Sequence, residues 1–444
     1  MRTRTIHGTG IRLFSARFFV VFSLAALMSL LTIGSSLVFS GLWAIRRMGR
    51  SGARRVRGGN GRFELVCISH VPWDGVWQRN QQTMSRLSRS EKVIYVRSAS
   101  TIEVSDNPRH LAYFFGKAVD PGLLVLNPVT LWGDTRIGLI RRLNRWILIS
   151  FIRFGMLRAG FAGSTIVLWF YFPRHESVCG GLGERLVVYD IQDEYLTWTN
   201  AAPDIGARER RLLEKTHLVF TGTNSLFRKK RQWNPNIHFI QNGVESDHFS
   251  RALREDTEVP AGLKRLLRPV IGYFGLIGDR IDCPLLEAMA EKHPEWSIVL
   301  VGPVREEMCK VPRKENIHLT GQVDYTLLPG YLKGFDVAII PYLLNETTMD
   351  LNPTKLLEYM AGGRPVVSTA MTDVVELFGE FVGVAHDRDE FLALTEKFAG
   401  NPDEAWIRRG IEFANGFTWE AMVQRMREMI LKALEKADTG CERR

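Results

Sequence analysis

Short apolar runs separated by helical patterns recur along this 444-residue chain, and the series starts twice. The first set lies at 64–69, 92–96, 123–126, 166–170, 186–189, 218–221 and 237–240; the second lies at 270–274, 297–301, 317–319, 337–340, 366–368 and 381–385. Such runs, too continuous for a sheet with one wet face, predict parallel strands buried on both sides by helices. The polar stretch 251–267, with Pro260 and Gly262, separates the sets and lacks strand character. Two doubly wound α/β domains follow, at 63–255 and 256–444, since a chain of this length exceeds what one core organises. A terminal helical stretch, 419–436, has no strand after it, so it is counted with the second domain but could pack back across either one.

Residues 1–62 form an appendage. They hold eleven Arg and no Lys, Asp or Glu, so the net charge of +10 belongs to them and not to the folded body. Nucleic-acid binding is therefore not indicated. Residues 18–45 carry no charge, a run long enough to cross a bilayer, and 46–62 read as an Arg-rich tether. Arginines flank the run on both sides, with more of them following it, which orients the body toward the cytoplasm at the inner membrane. If translation begins at Met48, the protein is cytoplasmic instead. The stretch 137–157 mixes four Arg with Leu, Ile, Trp and Phe. It predicts an amphipathic helix packed on the sheet, or one lying on a membrane surface, where the acceptor would be a lipid. The five cysteines are scattered, without CxxC or metal-ligand spacing, and read as thiols of a reducing compartment. No metal site is expected: Asp387-Arg-Asp389 opens a helix, where acidic residues serve as caps.

The segment 350–369 carries the densest chemistry. Asn352 is placed as N-cap, Pro353 at the first helical position, and Gly362 with Gly363 at the end. The helix follows the carboxyl end of the strand 337–340, where open α/β sheets bind ligands. A cation at its start, Lys355, opposes the helix dipole and suits a bound diphosphate. Glu358, nearly on the same face, is placed to accept hydrogen bonds from ribose hydroxyls, and Asp350 from sugar hydroxyls.

Two carboxylates with seven residues between them, Asp350 and Glu358, followed by Tyr-Met-Ala-Gly-Gly-Arg-Pro-Val-Val, resemble the E-x7-E pattern of family 4 retaining glycosyltransferases. Asp350 is the shorter acid there. His70-Val-Pro-Trp-Asp-Gly-Val-Trp-Gln-Arg-Asn-Gln-Gln82 is similar to the opening of a subgroup that includes teichuronic-acid biosynthesis glycosyltransferases, with Asn80 in the place of Pro. Gln241-Asn-Gly-Val-Glu-Ser-Asp-His-Phe249 matches the family's Asn-Gly-Val segment at the interdomain junction. The resemblance implies the GT-B architecture, two Rossmann-like domains facing each other across a cleft, with acceptor in the first and nucleotide-sugar donor in the second.

It further implies a diphosphate site on the loop Gly275-Leu-Ile-Gly278-Asp-Arg280, with Arg280 as cation and Lys355 as the second positive charge. Asp74 and Gly75 would close over the donor phosphates or seat the acceptor, and Arg79 would pair with phosphate or serve a helix start. Asp193 would stabilise developing positive charge or orient the acceptor hydroxyl, with Asp190 capping its turn and His70 a rival contact or a structural residue. The implied reaction moves a sugar from a nucleoside-diphosphate sugar to a hydroxyl of a glycan or lipid-linked acceptor. It retains anomeric configuration and needs no metal or other cofactor. An epimerase of the same fold needs no acceptor, so products formed without one would reveal it. A membrane-anchored scaffold would have lost the donor contacts that Arg280, Asp350, Lys355 and Glu358 offer.

Overall fold

A computed structural model describes residues 33–41, 62–131, 137–163, 165–198, 202–305 and 309–441. Two sheets hold the two strand sets apart. The first comprises β1 (Glu64–Ile68), β2 (Lys92–Val96), β3 (Lys117–Asp120), β4 (Leu123–Leu126), β5 (Ile166–Phe170), β6 (Leu186–Ile191), β7 (Leu218–Thr221) and β8 (Ile237–Phe239). Their order across the sheet is β8-β7-β6-β5-β1-β2-β4-β3. All are parallel except the edge strand β3, which runs antiparallel to β4. The second sheet comprises β9 (Val270–Phe274), β10 (Ser297–Val301), β11 (Ile317–Gly321), β12 (Val337–Ile340), β13 (Val366–Thr369) and β14 (Gly383–Ala385), in the order β11-β10-β9-β12-β13-β14 and entirely parallel.

The two orders explain where ligands would bind. In each sheet the chain winds outward from the first strand, then returns to that strand's other side. The switch falls between β1 and β5 in one sheet and between β9 and β12 in the other. At such a point the loops leaving the strands' carboxyl ends diverge and open a crevice.

The helix 33–41, here α1, is described at the end of the uncharged run, and the rest of the predicted membrane-spanning segment lies outside the described residues. Among the described residues no helix is long and apolar enough to cross a membrane. The end of the run seats on the first domain: Phe39 stacks on Phe154 with ring centres 3.9 Å apart, and the hydroxyls of Ser40 and Ser150 bond at 2.8 Å. Both partners belong to a long helix, Gly138–Arg158, whose apolar face from Ile147 to Met156 is buried on the sheet. That is the amphipathic helix expected there.

The helices used below are α2 (Arg79–Leu87), α3 (Gly138–Arg158), α4 (Asn224–Lys230), α5 (Cys283–Lys292), α6 (Lys355–Ala361) and α7 (Trp419–Cys441). The terminal helix corrects the domain assignment. Trp419, Met422, Met426 and Ile430 of α7 join Leu65, Met84 and Val93 in a single buried cluster, so α7 belongs by packing to the first domain. Arg427 reaches Glu91 and Arg86 reaches Glu420 across the same seam. The chain therefore crosses between domains twice, side by side: Val244 donates to the carbonyl of Phe417. A Cβ on Gly243 would stand 2.5 Å from the Trp419 nitrogen, so only glycine lets the two strands of chain pass this closely. Cys283 and Cys309 lie near each other, with Cα atoms 7.2 Å apart, beyond the span that a disulfide bridges, while Cys67 and Cys179 are free.

Because Met426 is fully buried between α7 and the first domain, Met426→Ala leaves a cavity there. A loss of about 2–5 kcal/mol is expected, read as a lower thermal midpoint with the second domain's donor site intact.

Candidate active site

The crevice beside β9 and β12 gathers most of the predicted donor residues. Gly275 ends β9 with φ +142°, and a Cβ on it would stand 2.2 Å from Cε and 2.9 Å from Nζ of Lys355. Gly302, at the end of β10, also has φ +142°, and its α-carbon face lies against the Gly275 carbonyl. These glycines let the Lys355 ammonium settle onto the loop, 6.0 Å from the centre of the Tyr273 ring. The pairing of this loop with Lys355 is thus as expected. Gly278 is different, since a side chain there would meet only Leu276 at 3.9 Å, and crowding does not demand glycine.

Glu358 completes the group. Burial, opposed by Lys355 and assisted by Glu245, pushes its carboxyl up to about 7. Glu245 also accepts a hydrogen bond of 2.5 Å from the hydroxyl of Tyr325, whose ring stacks on His248 at 4.4 Å. No role was expected of these three residues, although Glu245 and His248 lie within the Gln241–Phe249 match. Together they give the crevice two carboxylates, a phenol and an ammonium, groups suited to ribose hydroxyls and phosphate.

Arg280 extends from the loop toward the first domain, where its Nη2 lies 3.9 Å from Oδ1 of Asp193. Burial holds the Asp193 carboxyl above the usual range, with Arg280 opposing. Arg280 of the second domain and Asp193 of the first therefore face each other across the cleft.

Several other placements need correction. Asn352 is not a helix cap: α6 begins at Lys355 after Thr354, and the Asn352 amide instead donates to Gln241 at 3.2 Å, across the domains. Pro353 accordingly precedes the helix. Asp350 forms an ion pair with Lys229 of α4, so its carboxylate is already engaged at the rim. Arg79 does not face a phosphate site. Its guanidinium is buried and donates to both oxygens of Asp190 at 3.0 and 3.1 Å, to the Ile240 carbonyl at 2.7 Å and to Asn242 at 3.0 Å. Asp190 is thus the partner of Arg79, not the cap of its turn.

His70 sits at the end of β1 against Phe172, Tyr195 and Trp198, with ring centres 5.0 to 5.9 Å away. Burial, then Arg97 and Arg174, lower its imidazole to about 4, so it is neutral at physiological pH. Asp74 and Gly75 form an exposed turn on the loop after His70, in which the Gly75 amide donates to Pro72 at 3.3 Å. Asp74 acts electrostatically on Arg97 rather than on the donor crevice. Asp387 accepts from the Glu390 amide and caps its helix, as expected of this DxD. Among the described residues no group of three His, Cys, Asp or Glu is placed to hold a metal ion.

The raised Glu358 value has a measurable consequence. The folded chain holds this proton more tightly than the unfolded chain, so its contribution to stability is greatest below the ordinary value of 4.5 and is lost as pH rises to about 7. Thermal midpoints of the donor-free protein should decline over that window, and Glu358→Gln should flatten the decline. An equally steep profile in the variant would show that another group titrates.

Comparison with known proteins agrees with this geometry. Residues 268–399 match the family model described as glycosyl transferases group 1. A Bacillus subtilis (strain 168) protein named as the teichuronic acid biosynthesis glycosyltransferase TuaH is 24% identical over 289 residues, which span 60% of this chain and 71% of that protein. Among solved structures, sucrose-phosphate synthase from Thermosynechococcus elongatus superposes with a TM-score of 0.60 at 15% identity, covering 84% of this chain and all of that one. HepE of Anabaena in complex with UDP gives 0.59 at 12% identity, over 83% of this chain and 99% of that one. The chain is accordingly a glycosyltransferase of the GT-B fold, with a glycosyl transferases group 1 domain at 268–399 and a resemblance to TuaH.

Proposed function

We propose that the chain transfers a sugar from a nucleoside-diphosphate sugar to an acceptor hydroxyl, with retention at the anomeric carbon and without a metal. The observation that carries this reading is the meeting of Lys355, the Gly275 loop and the half-buried Glu358 at the switch point of the second sheet. HepE, which shares the fold, is described in complex with UDP and with UDP-glucose. In the proposed complex Glu358 accepts from ribose hydroxyls while Lys355 and Arg280 flank the diphosphate. Charge on the departing group would be met by these two cations in a partly water-excluded site, where fixed charges need no reorganisation. This supports metal independence, as does the use of Asp387 in capping. Retention follows if the acceptor hydroxyl attacks from the same face as the leaving diphosphate, with Asp193 offsetting positive charge on the sugar. Asp350 would reach sugar hydroxyls by exchanging its contact with Lys229.

The acceptor is proposed to be a glycan or lipid-linked glycan of the cell surface, assembled at the cytoplasmic face of the inner membrane. Support comes from the relative named for teichuronic acid biosynthesis, the uncharged run 18–45, and the seat of its end on α3.

Calorimetry on the full-length protein with UDP, GDP, ADP and dTDP sugars tests the donor. One nucleotide class should bind in the micromolar range, about −8 kcal/mol, and Glu358→Ala should weaken it about tenfold or more through lost hydrogen bonds. Turnover without an added acceptor, giving an isomerised donor, would favour the epimerase instead. A folded protein that binds none of the four would be a scaffold.

A further inference from the structure

The donor crevice holds two carboxylates, and the donor reading uses one of them. The other, Glu245, lies in the crossing between the domains, with Val244 and Phe249 on either side of it buried in the second domain's core. Both of its oxygens are engaged. Oε2 accepts the Tyr325 hydroxyl at 2.5 Å, and Oε1 lies 3.5 Å from Nη2 of Arg86.

Arg86 comes from the first domain. It stands in the last turn of α2, with 8% of its side chain exposed, and its nitrogens reach three elements. Nε donates to Glu420 of α7 at 2.7 Å, Nη1 to the carbonyl and side-chain oxygens of Gln82, and Nη2 to Glu245. The planar fork of a guanidinium makes such a junction possible, and a lysine would supply only a point charge.

Tyr325 carries the line onward. Its ring is 44% exposed and stacks on His248, and both Glu358 and Arg86 act on its hydroxyl. Burial, then Glu358 and Glu245, raise that hydroxyl, so it stays protonated and donates to Glu245. The charges acting on Glu358 itself are Lys355, from its own helix, and Glu245. Tyr359, the next residue, is turned to the Phe274 backbone. Burial lowers His248, so it titrates below its ordinary 6.5.

Arg86, Glu245, Tyr325 and Glu358 thus form one line from α2 to the donor carboxylate. Neighbouring carboxylates oppose each other's ionisation, and a cation beside one of them relieves the other. Lys355 gives such relief in the free protein, but the donor's diphosphate draws on the same ammonium. Arg86 continues to neutralise Glu245. An ionised Glu358 is acceptor only and can take both hydroxyls of a ribose.

Resting on the donor reading above, we propose that Arg86 is a positioning residue for the nucleotide: acting through Glu245, it favours the ionised Glu358 that accepts the ribose hydroxyls and holds Tyr325 beside it.

The test is calorimetry on the full-length protein with UDP-, GDP- and ADP-glucose, whose diester phosphates do not titrate near neutrality. Affinity should rise with pH as Glu358 ionises, around the value of about 7 to which its surroundings push it. Arg86→Gln should move the midpoint of that rise upward by about one pH unit, about tenfold in affinity below both midpoints, and Glu245→Gln should move it downward. Lost packing alone would weaken binding without giving shifts of opposite sign. Arg86→Lys should restore most of the wild-type midpoint, and Glu420→Gln, which breaks the other ion pair of Arg86, should not raise it. Glu245→Gln keeps an acceptor for Tyr325 and serves if Arg86→Gln does not fold. Unmoved midpoints, shifts of the same sign, or a rise in Glu420→Gln equal to that in Arg86→Gln would overturn the proposal. A second reading needs no nucleotide: the pH window over which thermal midpoints of the donor-free protein decline should move upward in Arg86→Gln and downward in Glu245→Gln. Moving windows without binding of any of the three sugars would sink the donor reading and leave the link from Arg86 to Glu358. Binding with windows and midpoints unmoved would sink this role for Arg86 and leave the donor reading.

Discussion

The buried guanidinium of Arg79 fixes the geometry on which the cleft depends. It joins α2 to the end of β6 through Asp190, to the end of β8 through the Ile240 carbonyl, and to the interdomain crossing through Asn242. Burial alone would raise the Asp190 carboxyl, and Arg79 is the group that opposes this. A charge pair this deep gains little net stability, yet removing one partner leaves the other buried and uncompensated, a cost of about 3–5 kcal/mol. Such an arrangement is well suited to hold one geometry. Asp193 lies three residues beyond Asp190, so the carboxylate that faces Arg280 is positioned through the buried Arg79–Asp190 pair.

The two sheets repeat one solution with different chemistry. In each, loops part at a switch point and leave a crevice beside the first strand. In the second domain the crevice holds Lys355 against Glu358 and Glu245, which fits a ligand with hydroxyls at one end and phosphate at the other. In the first domain it holds Arg97 and Arg174 around Glu103. Topology thus places both crevices, and side chains on a few loop positions give them different charge.

The strands were legible because burial on both faces leaves continuous apolar runs, and β2, β4, β5, β7, β9, β10 and β12 fall where those runs do. The edge strand β3 escaped notice because Lys-Ala-Val-Asp is largely exposed and carries no such run. Local reasoning failed wherever a distant partner decided the outcome. Asn352 has every property of a cap, but the approach of Gln241 drew its amide across the domains. The partners of Arg79 lie 111 to 163 residues away, so a helix-start arginine could not be told from a phosphate ligand. Lys355 and Glu358 were readable because a single helix carries both. The crevice of the first domain was not, since its members come from the ends of three strands.

The contacts between the domains are of unequal strength. At the crossing, Gly243 and Trp419 pack backbone on backbone. At the rim, Asp373 of the second domain is buried and accepts from the Asn224 and Ser225 amides and the Ser225 hydroxyl, capping α4 from outside. Arg228 with Glu376 and Lys229 with Asp350 are exposed pairs beside it, and contacts of that kind contribute about 0–1 kcal/mol each. Opening the cleft would therefore cost chiefly the Asp373 cap and the buried contact of Asn352 with Gln241, because the exposed paired side chains regain water as they part. Closing it restores the cap and brings Asp350 and Lys229 to the edge of the donor crevice. The contacts that are cheapest to exchange thus stand at the rim of the crevice.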